Sequence, residues 1–67
     1  PMNRNLLKAK MLEADVDVKT ICEACGISCP SFYRKMNGNS EFTQHEIGKI
    51  IELLHLDMET ARRIFFV

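Results

Sequence analysis

Three cysteines lie close together in the first half of the chain, at a spacing that could hold a metal ion. Cys22, Cys25 and Cys29 spell C-x2-C-x3-C, and two histidines, His45 and His55, follow further along. Three thiolates and one imidazole are a ligand set that binds Zn²⁺ tetrahedrally. A second interpretation is structural, because free cysteine packs like a small hydrophobic residue. We expect buried thiols at the first two positions and no metal ion.

Cys29 differs from the other two cysteines because it is predicted at the start of a helix. An exposed helix N-terminus favours the thiolate, the reactive form of cysteine, so we expect Cys29 to be the most readily oxidised thiol. Three cysteines cannot all pair within one chain, and residues 1–10 contain no apolar signal segment. The sequence therefore favours a reducing cytoplasm.

The sequence contains no residue pattern typical of an enzyme. There is no Gly-rich phosphate loop and no Ser/His/Asp set, and the acidic residues are predicted on scattered exposed helix faces. No apolar run approaches the ~18 residues that a membrane-spanning helix requires. We expect a protein that is not an enzyme, needs no cofactor and does not contact a membrane.

Basic and acidic residues balance to a net charge of zero, with nine of each in 67 residues. Their distribution is uneven, since Lys19, Arg34 and Lys35 against Glu23 give residues 18–38 a net charge of +2. Residues 39–67 carry three basic and five acidic side chains, a net charge of −2. The zero total argues against nucleic acid as a partner, because phosphates need cations. The local basic excess in residues 18–38 argues for a nucleic-acid partner.

The stretch Thr20–Gly38 positions these residues and predicts two short helices joined by a tight turn. The first helix is predicted to begin at residue 18 or 19 and to end at 25, and the second is predicted over 29–37. Gly26 begins the turn, because glycine adopts the positive φ angle that ends a helix. Phe32 and Met36 lie four residues apart and define an apolar face of the second helix. Its other positions are polar and partly basic.

Helical patterns cover the rest of the chain and predict an all-α, compact five-helix bundle that forms one domain over residues 1–67. The helices are predicted at about 5–14, 18–25, 29–37, 44–54 and 58–66. Asp17, Thr43 and Asp57 are predicted N-caps, and Glu46 completes a capping box with Thr43. The third helix is capped by Ser28 or Cys29. Residues predicted to face inward include Leu7, Met11, Ala14, Ile21, Ile27, Phe42, Ile47, Ile50, Ile51, Leu54, Ala61, Ile64 and Phe65.

In combination, these features resemble the phage-repressor-like helix-turn-helix family, the Xre/Cro type. The resemblance covers about residues 6–66, and its matched positions are Asp17, Cys22, Gly26, Ile27, Ser28, Phe32 and the run Tyr33-Arg34-Lys35-Met36-Asn37-Gly38. The family implies a lambda-repressor-like bundle whose third helix enters the major groove of DNA. It also implies a dimeric, sequence-specific transcriptional regulator of prokaryotic or phage type.

Carried onto this chain, the resemblance places two sets of residues at double-stranded DNA. The base-facing set is Ser28, Cys29, Pro30, Ser31 and Arg34. The set nearer to phosphates is Lys19, Lys35 and Asn37. Arg34 is the one obvious reader of guanine, whereas Cys29 and Pro30 stand where Gln, Arg or Ser is usual. The alternative is a protein-interaction module on the same fold, with weak or no DNA binding.

The C-terminal residues are more apolar than a free chain end requires. Phe66 and Val67 are predicted to complete a homodimer interface, because exposed apolar patches often mark contacts. The alternative is that Phe66 folds back into the core of its own chain.

Overall fold

The computed structural model describes residues 2–66, which form five α-helices and contain no strand. The helices are α1 (Arg4–Ala14), α2 (Val18–Cys25), α3 (Cys29–Met36), α4 (Gln44–Leu54) and α5 (Met58–Phe65). They pack into a globule of 27 × 24 × 20 Å, which confirms the compact all-α prediction. The predicted helix ends agree to within one residue. None of these helices is long and apolar enough to cross a bilayer.

Each of the five helices begins with a side-chain cap. In every case the cap oxygen accepts a hydrogen bond from the backbone N–H three residues later, and the caps are Asn3, Asp17, Ser28, Thr43 and Asp57. The three predicted caps and the capping box are confirmed. Ser28 rather than Cys29 caps α3, because its Oγ accepts from the Ser31 N–H at 3.2 Å. An N-cap of this kind typically contributes about 1 kcal/mol.

Left-handed residues end three of the helices. Gly26, with φ of 72°, ends α2 as the sequence predicted, and its N–H bonds the Glu23 carbonyl at 3.3 Å. Asp15 and His55 end α1 and α4 with φ angles of 56° and 51°. A residue with a Cβ atom pays about 1 kcal/mol for this conformation, so these two ends are less favourable than the end of α2.

The core receives one fully buried large side chain from each helix. These are Leu7, Ile21, Phe32, Ile50 and Ile64, each below 2% exposed. Phe42, from the loop before α4, packs edge-to-face against Phe32 and Phe65, with both ring centroids 5.8 Å away. Phe42 therefore packs against the core as predicted, with its side chain half-buried.

The prediction of an inward-facing residue is wrong at one position, Ala14. Ala14 is exposed, because α1 ends at this position and the chain turns away at the left-handed Asp15. The remaining stripe of α1 is confirmed, since Leu7 and Met11 are buried. The helical period therefore predicts which side of α1 faces inward. It does not show that the core ends before Ala14.

We expect Gly26→Ala to lower the free energy of unfolding by about 1 kcal/mol, measured by urea titration. A Cβ atom at Gly26 would meet no neighbour within 4 Å, so the loss comes from the left-handed backbone alone. Gly48→Ala is the matched control, because Gly48 lies inside α4 and also has open space around it. It should raise stability by about 0.5–1 kcal/mol. Effects of the same sign would contradict this account.

Candidate functional site

α2 and α3 pack against each other across a turn formed by residues 26–28. The Ile27 N–H donates to the Cys22 carbonyl at 3.1 Å, which folds the chain back over the end of α2. Ile27 is half-buried against the core, and Ser28 then caps α3. Each residue of the turn is thus fixed by a left-handed backbone, a core contact or a cap. Together they set the direction of α3 relative to α2.

The two sides of α3 differ in burial and chemistry. Phe32 and Met36 are 1% and 5% exposed and face the core, whereas Pro30, Tyr33 and Arg34 are exposed. These three exposed residues form what we call the outer face of α3. Its side chains offer one guanidinium, one phenol and one apolar ring. A planar guanidinium with five donors is suited to bidentate hydrogen bonding.

Tyr33 was not among the residues assigned to the site from sequence. Its side chain is 52% exposed, and its ring packs edge-to-face on Phe32 with centroids 5.8 Å apart. Its spacing indicates this position, because Tyr33 stands three residues after Pro30 and one before Arg34, which places all three on one side of a helix. The contact with Phe32 orients the Tyr33 ring, and about half of the side chain remains accessible to a partner.

The base-facing set predicted from sequence lies together on the first turns of α3. Ser28, Pro30 and Arg34 are exposed, and Cys29 and Ser31 are half-buried. The Ser28 hydroxyl is already used as the helix cap. The strongest donor of this set that remains accessible is therefore Arg34.

The three residues predicted near phosphates are in different environments. Lys19 is exposed in the first turn of α2. Asn37 caps the end of α3 and accepts a hydrogen bond from Arg4 Nη1 at 2.7 Å, which joins the start of α1 to the end of α3. Lys35 is directed towards α4, where its Nζ lies 2.6 Å from Glu46 Oε1.

The ion pair of Lys35 and Glu46 is largely shielded from solvent, with side chains 11% and 8% exposed. The same carboxylate oxygen accepts the Thr43 N–H at 2.9 Å, and Lys35 Nζ lies 5.9 Å from the centroid of the Phe42 ring. Burial favours a raised pKa for Glu46, but the hydrogen bonds from Lys35 and Thr43 outweigh it and hold the pKa below its ordinary value. The expectation that acidic residues lie only on exposed faces is wrong for Glu46.

The three thiols are not equivalent. Cys22 and Cys25 are 3% and 7% exposed, as predicted, and Cys29 is half-buried. Burial raises the pKa of Cys22 to about 11, and the adjacent Cys29 thiol contributes to the rise. Burial also raises the pKa of Cys25, whose Sγ lies 3.8 Å from the Glu46 carbonyl oxygen.

Within residues 2–66, no three His, Cys, Asp or Glu side chains are close enough together to hold a metal ion. His45 and His55 are both exposed. His45 lies in the first turn of α4 and His55 at the end of the same helix, whereas the thiols lie on α2 and α3. Packing therefore does not bring the two imidazoles and three thiols together as one ligand set.

Phe66 projects from the end of α5 and is 68% exposed. The alternative that it folds back into the core is therefore wrong. Beside it lies a cavity of about 330 Å³, whose walls include Lys35, Phe42, Phe65 and Phe66. Val67, predicted to act with Phe66, lies outside the described residues.

Comparisons with known proteins return no match to this chain. No protein-family model, no curated protein and no solved structure matches it. Its function must therefore be inferred from its own residues and their arrangement.

We expect Glu46→Gln to lower the free energy of unfolding by about 2 kcal/mol, because it leaves the largely shielded Lys35 ammonium without a counter-ion. Glu52→Gln is the matched control, since Glu52 is 75% exposed and 4.0 Å from Lys49. It should change stability by less than about 1 kcal/mol. Equal losses in the two variants, measured by denaturant titration at neutral pH, would contradict a special role for the shielded pair.

The same pair also predicts a pH dependence. The folded pKa of Glu46 lies below its ordinary value of about 4.5, so its contribution to stability is complete above that pH. The contribution is lost as the pH falls through the folded pKa. The difference in stability between wild type and Glu46→Gln should therefore shrink in acid, and a difference that stays constant with pH would count against this assignment.

Proposed function

We propose that this chain is a sequence-specific, DNA-binding transcriptional regulator of prokaryotic or phage type that acts in the cytoplasm. In this proposal α2 and α3 form a helix-turn-helix, and α3 enters the major groove. The observation that carries it is the two-sided character of α3. One face anchors the helix in the core through Phe32 and Met36, and the outer face presents Pro30, Tyr33 and Arg34. An α-helix with such an outer face fits the major groove.

Arg34 has the central role in base reading. A guanidinium donates two hydrogen bonds to O6 and N7 of guanine, a pairing that distinguishes guanine from the other bases. Pro30 adds an apolar surface of the kind that contacts a thymine methyl group. Ser31 and Cys29 lie beside them at the half-buried edge of the same turn.

The proposed phosphate contacts differ from the set that the family resemblance implies. Lys19 remains, because it is exposed. Lys35 is left out, because its charge is neutralised by Glu46 in a largely shielded pair. Arg4 is added, because its hydrogen bond to Asn37 places an exposed cation beside the end of α3.

The second candidate is a protein-interaction module that keeps this fold and binds DNA weakly or not at all. Two observations favour it. The net charge is zero, and the pairing of Lys35 with Glu46 removes one of the three basic residues of the 18–38 segment from the surface. A partner protein would then contact the outer face of α3 through Tyr33 and Pro30.

Binding to a pool of random-sequence duplex DNA, followed by selection of bound sequences, tests the first candidate. We expect affinity to fall steeply with salt. Arg34→Ala should weaken binding to the selected sequence by about 1–3 kcal/mol, the discrimination of one bidentate base contact. Arg63→Ala is the matched control, because it removes the same charge from an exposed position on α5.

Equal losses in the two variants would mean that Arg34 acts only through its charge. No binding at ~50 mM salt, where phosphate contacts are strong, would overturn the DNA proposal. That result would favour the interaction module.

We also propose that two copies associate through the end of α5. Phe66 is exposed beside a cavity lined by Phe42 and Phe65, and an isologous contact buries the same patch on both copies. A two-fold dimer would present two α3 helices to two half-sites.

Phe66→Ala should therefore shift sedimentation equilibrium towards the monomer without a large change in the free energy of unfolding. Leu12→Ala is the control, since Leu12 is an apolar side chain that is 84% exposed on α1. If the mass is unchanged by Phe66→Ala, or is that of a monomer for wild type, the dimer proposal fails.

A further inference from the structure

An asparagine–glycine step, Asn37-Gly38, lies at the exposed end of α3. An asparagine side-chain amide is a weak electrophile, and the backbone nitrogen of the following residue reaches its Cγ atom through a five-membered ring. Glycine leaves that nitrogen unhindered, because it has no Cβ atom. A Cβ atom added at Gly38 would meet nothing within 4 Å, so the step is also open to water and base. These residues therefore have the chemistry and the access for attack on the Asn37 side chain.

The backbone holds this step closed in the folded chain. The Gly38 N–H donates to the Lys35 carbonyl at 3.2 Å. The Asn39 N–H donates to the Arg34 carbonyl at 2.9 Å, so two bonds close the end of α3. The ψ angle of Asn37 is 1°, so the Gly38 nitrogen eclipses the backbone nitrogen of Asn37 rather than its Cβ atom. Attack on the side chain therefore requires these bonds to open and the Asn37 backbone to rotate.

Arg4 restrains the side chain of Asn37 from the start of α1. Its Nη1 donates to Asn37 Oδ1 at 2.7 Å, although the two residues are 33 positions apart. This bond holds the amide in its present direction, and it breaks when the amide turns towards the Gly38 nitrogen. Both partners are exposed, so the net contribution is that of one ordinary hydrogen bond. Loss of Arg4 therefore makes the reactive arrangement of Asn37 more frequent.

We propose that Asn37 is a site of spontaneous deamidation and that its hydrogen bond with Arg4 slows the reaction. In the first step the Gly38 nitrogen gives its proton to hydroxide and forms a bond to the Asn37 Cγ atom. The bond from Cγ to Nδ2 then breaks, and the departing nitrogen takes a proton from water and leaves as ammonia. A succinimide ring that joins the two residues remains.

In the second step one water molecule opens the ring at either of its two carbonyl carbons. Attack at the former side-chain carbon gives aspartate, and attack at the backbone carbon gives isoaspartate. The sum is one asparagine residue and one water giving one aspartate or isoaspartate residue and one ammonium ion, with no oxidation or reduction. The aspartate product places a carboxylate where Arg4 already donates to the amide, so the hydrogen bond becomes an ion pair.

Incubation of the chain in mildly alkaline water enriched in heavy oxygen, followed by tryptic mapping in ordinary water, tests this proposal. We expect the fragment of residues 36–49 to exchange NH for one heavy oxygen, with mass-spectrometric fragmentation placing the change at Asn37. The other asparagines are internal controls, because a larger residue than glycine follows each of them: Asn3, Asn5 and Asn39. They should remain unchanged while half of Asn37 reacts. The absence of heavy oxygen at Asn37, or faster reaction at any of the three controls, would overturn the proposal.

Arg4→Ala should raise the rate of deamidation at Asn37 by about fivefold, the factor that corresponds to one net hydrogen bond. Lys8→Ala is the matched control, since Lys8 is an exposed cation one turn further along α1, and it should leave the rate unchanged. In guanidinium chloride that unfolds the chain, Arg4→Ala and wild type should react at the same rate. Equal rates in the two native proteins, or a difference that persists in the unfolded chains, would overturn the role of Arg4.

These rates are measured without DNA, so the failure of this proposal and the failure of the proposed function are seen separately. The consequence for DNA rests on the proposed function, in which Arg4 contacts a phosphate. An Arg4 paired within its own chain neutralises no phosphate, so Asn37→Asp should reduce the magnitude of the salt slope by about 0.9 per copy. Asn39→Asp is the matched control, because it adds the same charge two residues later, and it should leave the slope unchanged. An equal reduction in both variants would show that pairing with Arg4 is not its cause.

Discussion

The ion pair between Lys35 and Glu46 connects the two halves of this small structure. It joins the last turn of α3 to the first turn of α4 across the loop of residues 37–43, and Glu46 is the one buried charged residue in the described part of the chain. A buried carboxylate is costly unless its oxygens are bonded. Here Lys35 and the Thr43 amide both donate to it. A capping box and a tertiary contact therefore depend on the same side chain.

The position of α3 depends on several such contacts at once. A helix of eight residues is too short to be stable alone, so its order must come from its surroundings. Ser28 caps its start, and Phe32 and Met36 anchor its middle. Lys35 ties its last turn to α4, and Asn37 ties its end to Arg4. The outer face between these contacts is consequently presented by a helix that is fixed at both ends.

Local signals in the sequence were sufficient for the helices. A cap such as Asp17 or Thr43 acts over three residues, so its effect can be read from the chain alone, and the helix starts were accurate for this reason. Contacts between distant residues could not be read in the same way. Arg4 and Asn37 are 33 positions apart, and nothing in either neighbourhood specifies the other. The helical spacing of apolar residues in α3 indicates which of its faces is exposed. The pairing of Lys35 with Glu46 depends instead on how α4 packs against α3.

This pairing changes the charge available for a nucleic acid. Lys35 stands three residues after Phe32, at the edge of the buried face, and Glu46 completes its withdrawal from the surface. The proposed phosphate contacts of one copy are then Lys19 and Arg4, since the DNA-binding proposal places Arg34 at a base. Each neutralised phosphate contributes a slope of about −0.9 to the dependence of binding on salt, so a single copy has a weak electrostatic attraction to DNA. The DNA-binding proposal therefore depends on two copies acting together, and so on the proposed dimer contact at Phe66. A chain that stays monomeric would fit the protein-interaction module better.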